Sequence, residues 1–176
     1  MKISIIGFSG SGKSTLAHAL GDHYHADVLH LDAVHFLPNW VERSRNEEQA
    51  MVESFLDSHG SWVIDGTYTN LSFERRMEES DLIIMMLFVP IACLRRVTSR
   101  YRRYKNTRRP DMAEGCNEKL DAEFVFWVLW KGRRRSKRAK FKALQDEYPQ
   151  KTVILKDQRA LDRFMSDIRA GKSLIS

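Results

Sequence analysis

Residues 7–15, GFSGSGKST, place glycines, a lysine and a serine at the spacing G-x-x-x-x-G-K-S, directly after the apolar run ISII. That spacing suits the holding of a phosphate chain. Glycines let successive backbone N–H groups turn inward onto one anion, and the N-terminus of a following helix adds partial positive charge. In this pattern Gly7, Ser9, Gly10, Ser11 and Gly12 shape the cradle. Lys13 reaches the β- and γ-phosphates, Ser14 ligates Mg2+, and Thr15 bonds the α-phosphate. The expected nucleotide is ATP. A guanine reader would carry an N-K-x-D run, and the nearest stretch, EKLD at 118–121, has Glu118 in the asparagine position and opens a helix.

Carboxylates form the second group. Asp65 closes the apolar run WVID and precedes Gly66, a place suited to a carboxylate holding the waters of Mg2+. Asp32 closes DVLHLD. Two carboxylates near a triphosphate repel it unless a metal or a transferable proton is involved. One therefore serves the metal, and Asp32 orients or deprotonates an acceptor hydroxyl. His30 and His35 flank Asp32, and they read as substrate-facing or supporting groups rather than transition-metal ligands.

Arginines form the third group. Phosphoryl transfer needs charge neutralisation, which a mobile loop can deliver after the substrates bind. The run from Arg95 to Arg109 supplies it: Arg96, Arg100 and Arg103 share one helix face, and Arg108 and Arg109 follow just before Pro110 in an expected lid over residues 104–117.

Short apolar strands must position these groups. Strands are expected at 3–6, 27–32, 62–65, 82–89 and 152–155. Helices are expected at 13–20, stopped by Gly21, at 47–58 capped by Asn46, at 91–104, from near Glu118 with a break around Gly132, and at 158–169. PNW at 38–40 interrupts regular structure. The alternation implies an α/β fold: a five-stranded parallel sheet covered by helices on both faces, in three layers, as one domain over 1–176. Ligands of such sheets sit beyond the carboxyl ends of the strands, where Gly7, Asp32 and Asp65 all fall.

Composition narrows the setting. The formal charge is +6 and the sequence pI about 9.4, which permits polyanionic partners. Cys93 and Cys116 stand far apart, outside any CxxC pair, as reduced thiols of a cytoplasmic protein would. No signal peptide is expected at the N-terminus, and the runs LIIMMLFV and FVFWVLW are too short to cross a membrane. FVFWVLW (124–130) is expected to be core, in part lining an acceptor pocket. KGRRRSKRAKFK, Lys131 to Lys142, reads as a surface helix end that could touch nucleic-acid phosphates, although few aromatics are interleaved for base stacking.

The loop at Gly7, the Asp after the second strand, VIDG at the third and an arginine-rich lid before the fifth resemble the adenylate-kinase-like branch of P-loop proteins, over nearly the whole chain. More narrowly, HLD, PNW, VIDGTY, TRRPDMAEGCNEKLD and the aromatic run, in this order, look like the bacterial DNA topology modulation proteins. The resemblance to small-molecule kinases implies Lys13, Ser14 and Thr15 on the nucleotide, with Asp65 on the metal side and Asp32 on the substrate side. It implies Arg76, or its neighbour Arg75, on the acceptor, and Arg96, Arg100 and Arg109 as helix and lid arginines. DGTY lacks the proline and arginine that nucleoside-monophosphate kinases place after DG, which turns the expectation away from a nucleotide acceptor. The family label points to DNA, yet the sequence holds no groove-reading motif.

Overall fold

The computed structural model describes residues 1–105, 116 and 120–172. Strand β1 (Lys2–Gly7) enters the glycine-rich turn and helix α1 (Lys13–Tyr24); β2 (Asp27–His30) leads into the short α2 (Leu31–His35). Two-residue strands β3 (Phe36–Leu37) and β4 (Val41–Glu42) pair antiparallel around a 3-10 turn at Pro38–Trp40. Helix α3 (Arg45–Ser58), β5 (Trp62–Asp65), α4 (Phe73–Glu79), β6 (Leu82–Met86) and α5 (Pro90–Tyr104) follow. Then come α6 (Ala122–Leu129), a 3-10 turn at Lys131–Arg133, α7 (Arg135–Glu147), β7 (Thr152–Leu155) and α8 (Gln158–Arg169). The main sheet has five strands in the order β2-β5-β1-β6-β7, all parallel.

Both faces of this sheet are covered, which is why its strands are continuously apolar rather than alternating. Successive side chains point to opposite faces. Leu82, Ile84 and Met86 accordingly pack with Leu16, Leu20, Val97, Phe164 and Ile168 from α1, α5 and α8. Ile83 and Met85 pack with Met77 of α4 and with Phe141 and Leu144 of α7. A third cluster sets Val34, Val52 and Leu56 of α2 and α3 against Trp62 and Ile64.

Several boundaries differ from the expectations, each for a physical reason. The strand expected to reach Asp32 ends at His30, because a turn of helix tucks Leu31 and Val34 under the sheet edge, where both are buried. Asp32 therefore sits on α2, exposed. Ser44, not Asn46, caps α3: its hydroxyl accepts from the Glu47 amide and donates to the Glu47 carboxylate. The strand expected over 82–89 stops at Met86, and Pro90 opens α5 from inside its first turn. Helix α4 was not anticipated. The helix expected from Glu118 begins at Ala122, capped by Asp121, whose carboxylate accepts from the Phe124 amide at 2.8 Å; Asn117 and Glu118 lie outside the described residues. FVFWVLW is not core throughout. Only Val128 is buried, while Phe126, Trp127 and Trp130 are 54%, 38% and 62% exposed, because a lone helix lying on the sheet's helices has one inward stripe.

Gly21 does not stop α1, which runs on to Tyr24 and ends at His25 in the left-handed conformation, φ 50°. Glycine is needed there for close packing: a Cβ on Gly21 would stand 2.4 Å from Cγ2 of Val28. Gly21→Ala, which in an open helix would stabilise by about 1 kcal/mol, is expected to destabilise by about 1–3 kcal/mol through overpacking. Trimming the neighbour, in Gly21→Ala/Val28→Ala, should give less than the sum of the two single losses in urea unfolding.

Candidate active site

The turn after β1 has the backbone that the glycines permit. Gly7, Gly10 and Gly12 have φ of 145°, 76° and 97°, a region open to glycine and strained for other residues. At Gly7 space is closed as well, since a Cβ would meet the Met86 carbonyl oxygen at 2.3 Å. The loop is pinned at its base by Thr67, whose hydroxyl accepts from the Gly7 amide and donates to the Gly7 carbonyl, both at 3.1 Å. Gly12 is the N-cap of α1 and offers no side chain to the first amides, so the N–H groups that open this helix are left for an anion.

Lys13 is half-buried and folds back, its ammonium donating to the Phe8 carbonyl at 3.1 Å. Desolvation lowers its pKa; the charges of Asp32 and Asp65 oppose that, and Arg100 adds to it. These four groups therefore share one electrostatic neighbourhood. The Ser14 hydroxyl donates to Oδ2 of Asp65 at 3.0 Å. The two oxygens are hard donors at the helix start, and they fit a Mg2+ ion that keeps most of its waters. Thr15 is exposed beside them. Asp65, 5% exposed, is held on its other oxygen by Nδ1 of His30, whose Nε2 lies 3.2 Å from Nε2 of His18.

Arg96 grips the loop. Its guanidinium donates to the Ser11 carbonyl and to Gln158, and lies 4.2 Å from the Phe88 ring centre. The Ser9 hydroxyl accepts from the Trp127 indole at 3.2 Å, whereas the Ser11 hydroxyl is buried with no hydrogen-bond partner among the described residues. Arg109 lies outside the described residues, with most of the expected lid. Cys116, from that stretch, is buried with its thiol 3.4 Å from the Leu37 carbonyl on β3.

Beyond α2 the surroundings of Asp32 and His35 are organised by Tyr68 and Glu48, which the sequence reading missed. The Tyr68 hydroxyl donates to Oδ1 of Asp32 at 2.8 Å; burial, then the Asp32 charge, pushes this phenol's pKa far up, so it stays a donor. His35 packs 5.0 Å from the Tyr68 ring and donates through Nδ1 to Glu48 at 2.5 Å. Glu48 is 1% exposed, its second oxygen without a partner among the described residues. Lys137 on α7 is the other omission. Burial lowers its pKa, and it feels the charges of both Lys13 and Asp32. One signal was available: Lys137 stands one helical turn before Phe141, which faces inward.

Arg76 is not where the resemblance implied. Its side chain is completely buried, Nε donating to the Leu71 carbonyl at 2.8 Å and Nη2 to the Tyr68 carbonyl at 2.7 Å. Burial lowers its pKa to about 10. It therefore positions Tyr68 from beneath rather than presenting itself to a ligand. Arg75, its neighbour, pairs at the surface with Glu53, Asp57 and Glu79.

Neither a protein-family model nor a curated protein matches the chain. Solved structures do match in fold. Shikimate kinase from Acinetobacter baumannii, solved in complex with shikimate, superposes with a TM-score of 0.58 at 16% identity, covering 98% of this chain and 94% of that one. TT1252 from Thermus thermophilus gives 0.56 at 16% identity, with 98% of each chain covered. Shikimate kinase from Bacteroides thetaiotaomicron gives 0.53 at 18% identity, with 97% of each covered. The chain thus has the P-loop α/β fold found in small-molecule kinases, with a five-stranded parallel sheet and helices on both faces.

The contrast between the adjacent arginines is testable. Arg76→Ala leaves two buried carbonyls unpaired and a cavity, and is expected to cost about 3 kcal/mol or more in urea unfolding. Arg75→Ala should give a clearly smaller loss that shrinks further at high salt.

Proposed function

We propose that the protein is an ATP- and Mg2+-dependent kinase that moves a γ-phosphoryl group onto a small hydroxylated or phosphorylated acceptor. One observation carries this reading: two carboxylates act on a single lysine, Asp65 bonded to Ser14 and Asp32 bonded to Tyr68, both within electrostatic reach of Lys13. Holding or hydrolysing a nucleotide needs only the first. A transferase also needs a group to meet the acceptor's proton. Likeness of fold to two shikimate kinases agrees with that class and leaves the acceptor open.

Each residue then has a task. Ser14 and Asp65 hold Mg2+, which when bound neutralises phosphate charge. Gly7 to Gly12 and the amides opening α1 cradle the phosphates, Thr15 bonds the innermost, and Lys13 leaves the Phe8 carbonyl for the outer ones. Asp32 orients the acceptor hydroxyl and receives its proton as the new oxygen–phosphorus bond forms and the bond to the ADP oxygen breaks. Tyr68, protonated, occupies one Asp32 oxygen and leaves the other for the acceptor. His35, fixed by Glu48, borders the acceptor, while Arg100, Lys137 and Arg109 add positive charge around the transferred group. Arg96 acts on the nucleotide by holding the loop. We place this chemistry in the cytoplasm, where two free thiols stay reduced.

Lys13→Ala is expected to reduce turnover by about 100-fold or more. Asp32→Asn should cut transfer by a similar factor while ATP affinity, by calorimetry, changes by no more than about threefold. Equal loss of binding and transfer would remove Asp32 from its role. An ATP-consumption screen across nucleosides, sugars and small hydroxy acids, with Lys13→Ala as control, identifies the acceptor.

A second reading, in line with the resemblance to DNA topology modulation proteins, is contact with nucleic acid through residues 131–142. The exposed Phe126 and Trp130 beside that run favour it, since they supply stacking surface that the run itself lacks. Lys131, Arg134, Arg135, Arg138, Lys140 and Lys142 are exposed. Engagement of all six with duplex DNA predicts a log–log salt slope of about −5, and no binding at low salt ends this reading.

A further inference from the structure

A cavity of about 430 Å³ opens between the carboxyl ends of β6 and β7 and the flank of α7. Its lining mixes two chemistries. Phe8, Phe88, Phe141 and Ile154 give it an apolar wall, while Arg133, Arg138, Lys142 and Lys156 surround it with positive charge. No carboxylate is among the residues that line it. The volume lies in the ordinary range of small-molecule sites, and none of these four cations has a place in the phosphate-transfer site described above.

Arg133 is the unusual member. It is only 6% exposed, which for a guanidinium demands partners. Nε donates to the Val128 carbonyl and Nη1 to the Phe88 carbonyl, both at 2.7 Å, and the group lies 4.1 Å from the Phe8 ring centre. The remaining nitrogen, Nη2, is buried with no oxygen acceptor among the described residues; the nearby Cys93 thiol is a weak acceptor at best. At the rim, Lys142 is held by Asp146 at 2.9 Å. Arg138 and Lys156 are exposed, with no carboxylate partner among the described residues. Positive charge is thus concentrated around an apolar hollow with too few anions to balance it.

We propose that this cavity is a second anion site, distinct from the phosphate loop, for a small molecule with an apolar or aromatic body and one carboxylate or phosphate group. The oxyanion takes the bonds that Arg138 and Lys156 have free and neutralises the buried Arg133, and the body lies against Phe141, Phe8 and Ile154. The inference stands apart from the kinase reading, because none of its four cations belongs to the transfer chemistry; only Phe8, whose carbonyl holds Lys13, borders both sites.

Phenyl phosphate and phenylacetate are suitable probes, with phenol as the uncharged control, added to the full chain carrying labelled isoleucine methyl groups. Both anions are expected to bind saturably, to shift the Ile154 methyl resonance, and to bind Lys13→Ala as well as the parent. The exposed pair Arg138→Gln/Lys156→Gln should weaken both by about tenfold or more without loss of fold, and phenol should bind far more weakly than either. The proposal is overturned by absence of saturation up to about 10 mM, by saturation that leaves Ile154 unmoved, or by binding that Lys13→Ala abolishes and the double variant retains. That last result would make the phosphate loop the sole anion site, and none of these readouts depends on ATP turnover.

Discussion

Register between β1 and β5 is the constraint on which the site depends. Ile5 pairs with Asp65, and His30 of β2 pairs with the same residue from the other side. These pairings bring the carboxyl ends of three strands to one level, so that Asp65 arrives beside the first turn of α1 and its carboxylate meets Ser14. A one-residue slip would reverse which face every side chain of β5 addresses, burying Asp65 among the α2–α3 residues and moving Ile64 to the face covered by α1. The fully buried Trp62 and Ile64 hold the register against that slip. Thr67 then ties the outcome down by bonding both polar groups of Gly7, so that the segment after β5 is fastened to the base of the glycine loop.

Positive charge is the second organising feature. Lys13, Arg96 and Lys137 each have their pKa lowered chiefly by desolvation; the protein thus holds cations where water does not fully solvate them. Such an arrangement is costly in an empty site and favourable once a polyanion enters, because interactions in a water-poor surrounding are less screened. Tyr68 is the complement. A phenol beside a carboxylate, with its ionisation suppressed, tightens Asp32 without adding negative charge.

Legibility of these features in the sequence tracks how local their causes are. Strand β7 and helix α8 were read to the residue, 152–155 and 158–169, since apolar branching and the helical spacing of Leu161, Phe164 and Ile168 act within a few positions. The glycine loop was equally plain, because its backbone requirement is written in glycine itself. Asp65 was placed at a strand end, and it is at one; Asp32 was placed at another and is on a helix, because burial of Leu31 against Gly66 overrides the strand propensity of its neighbours. Arg75 and Arg76 could not be told apart by spacing. Which faces solvent is decided by the packing of α4 on the sheet, a long-range matter. Tyr68, Glu48 and Lys137 were missed for the same reason. Each reaches the site from an element whose orientation only the assembled core defines. His35 and Glu48, which bond to one another, are 13 residues apart in sequence.

The aromatic helix α6 shows how an element can be tied to the site without belonging to the core. Its buried stripe is narrow, Val128 with Phe124 partly covered, so packing alone would hold it weakly. Specific bonds compensate at its C-terminal end: Trp127 donates to Ser9 in the phosphate loop, Lys131 lies 5.7 Å from the centre of the same indole, and Arg133 joins the Val128 and Phe88 carbonyls. Gly132 permits this junction, since a Cβ there would approach the Trp127 carbonyl to 2.9 Å. The helix is therefore fastened directly to the loop and to the start of α5, while the aromatic faces of Phe126 and Trp130 stay in solvent. The contacts run on without a break: the Ser9 hydroxyl meets Trp127, Gly132 packs on the Trp127 carbonyl, and Arg133 lies over Phe8. Phe8 in turn provides the carbonyl to which the Lys13 ammonium donates. The loop, α6 and the α7 flank are thus joined by a series of contacts that ends at the Lys13 ammonium.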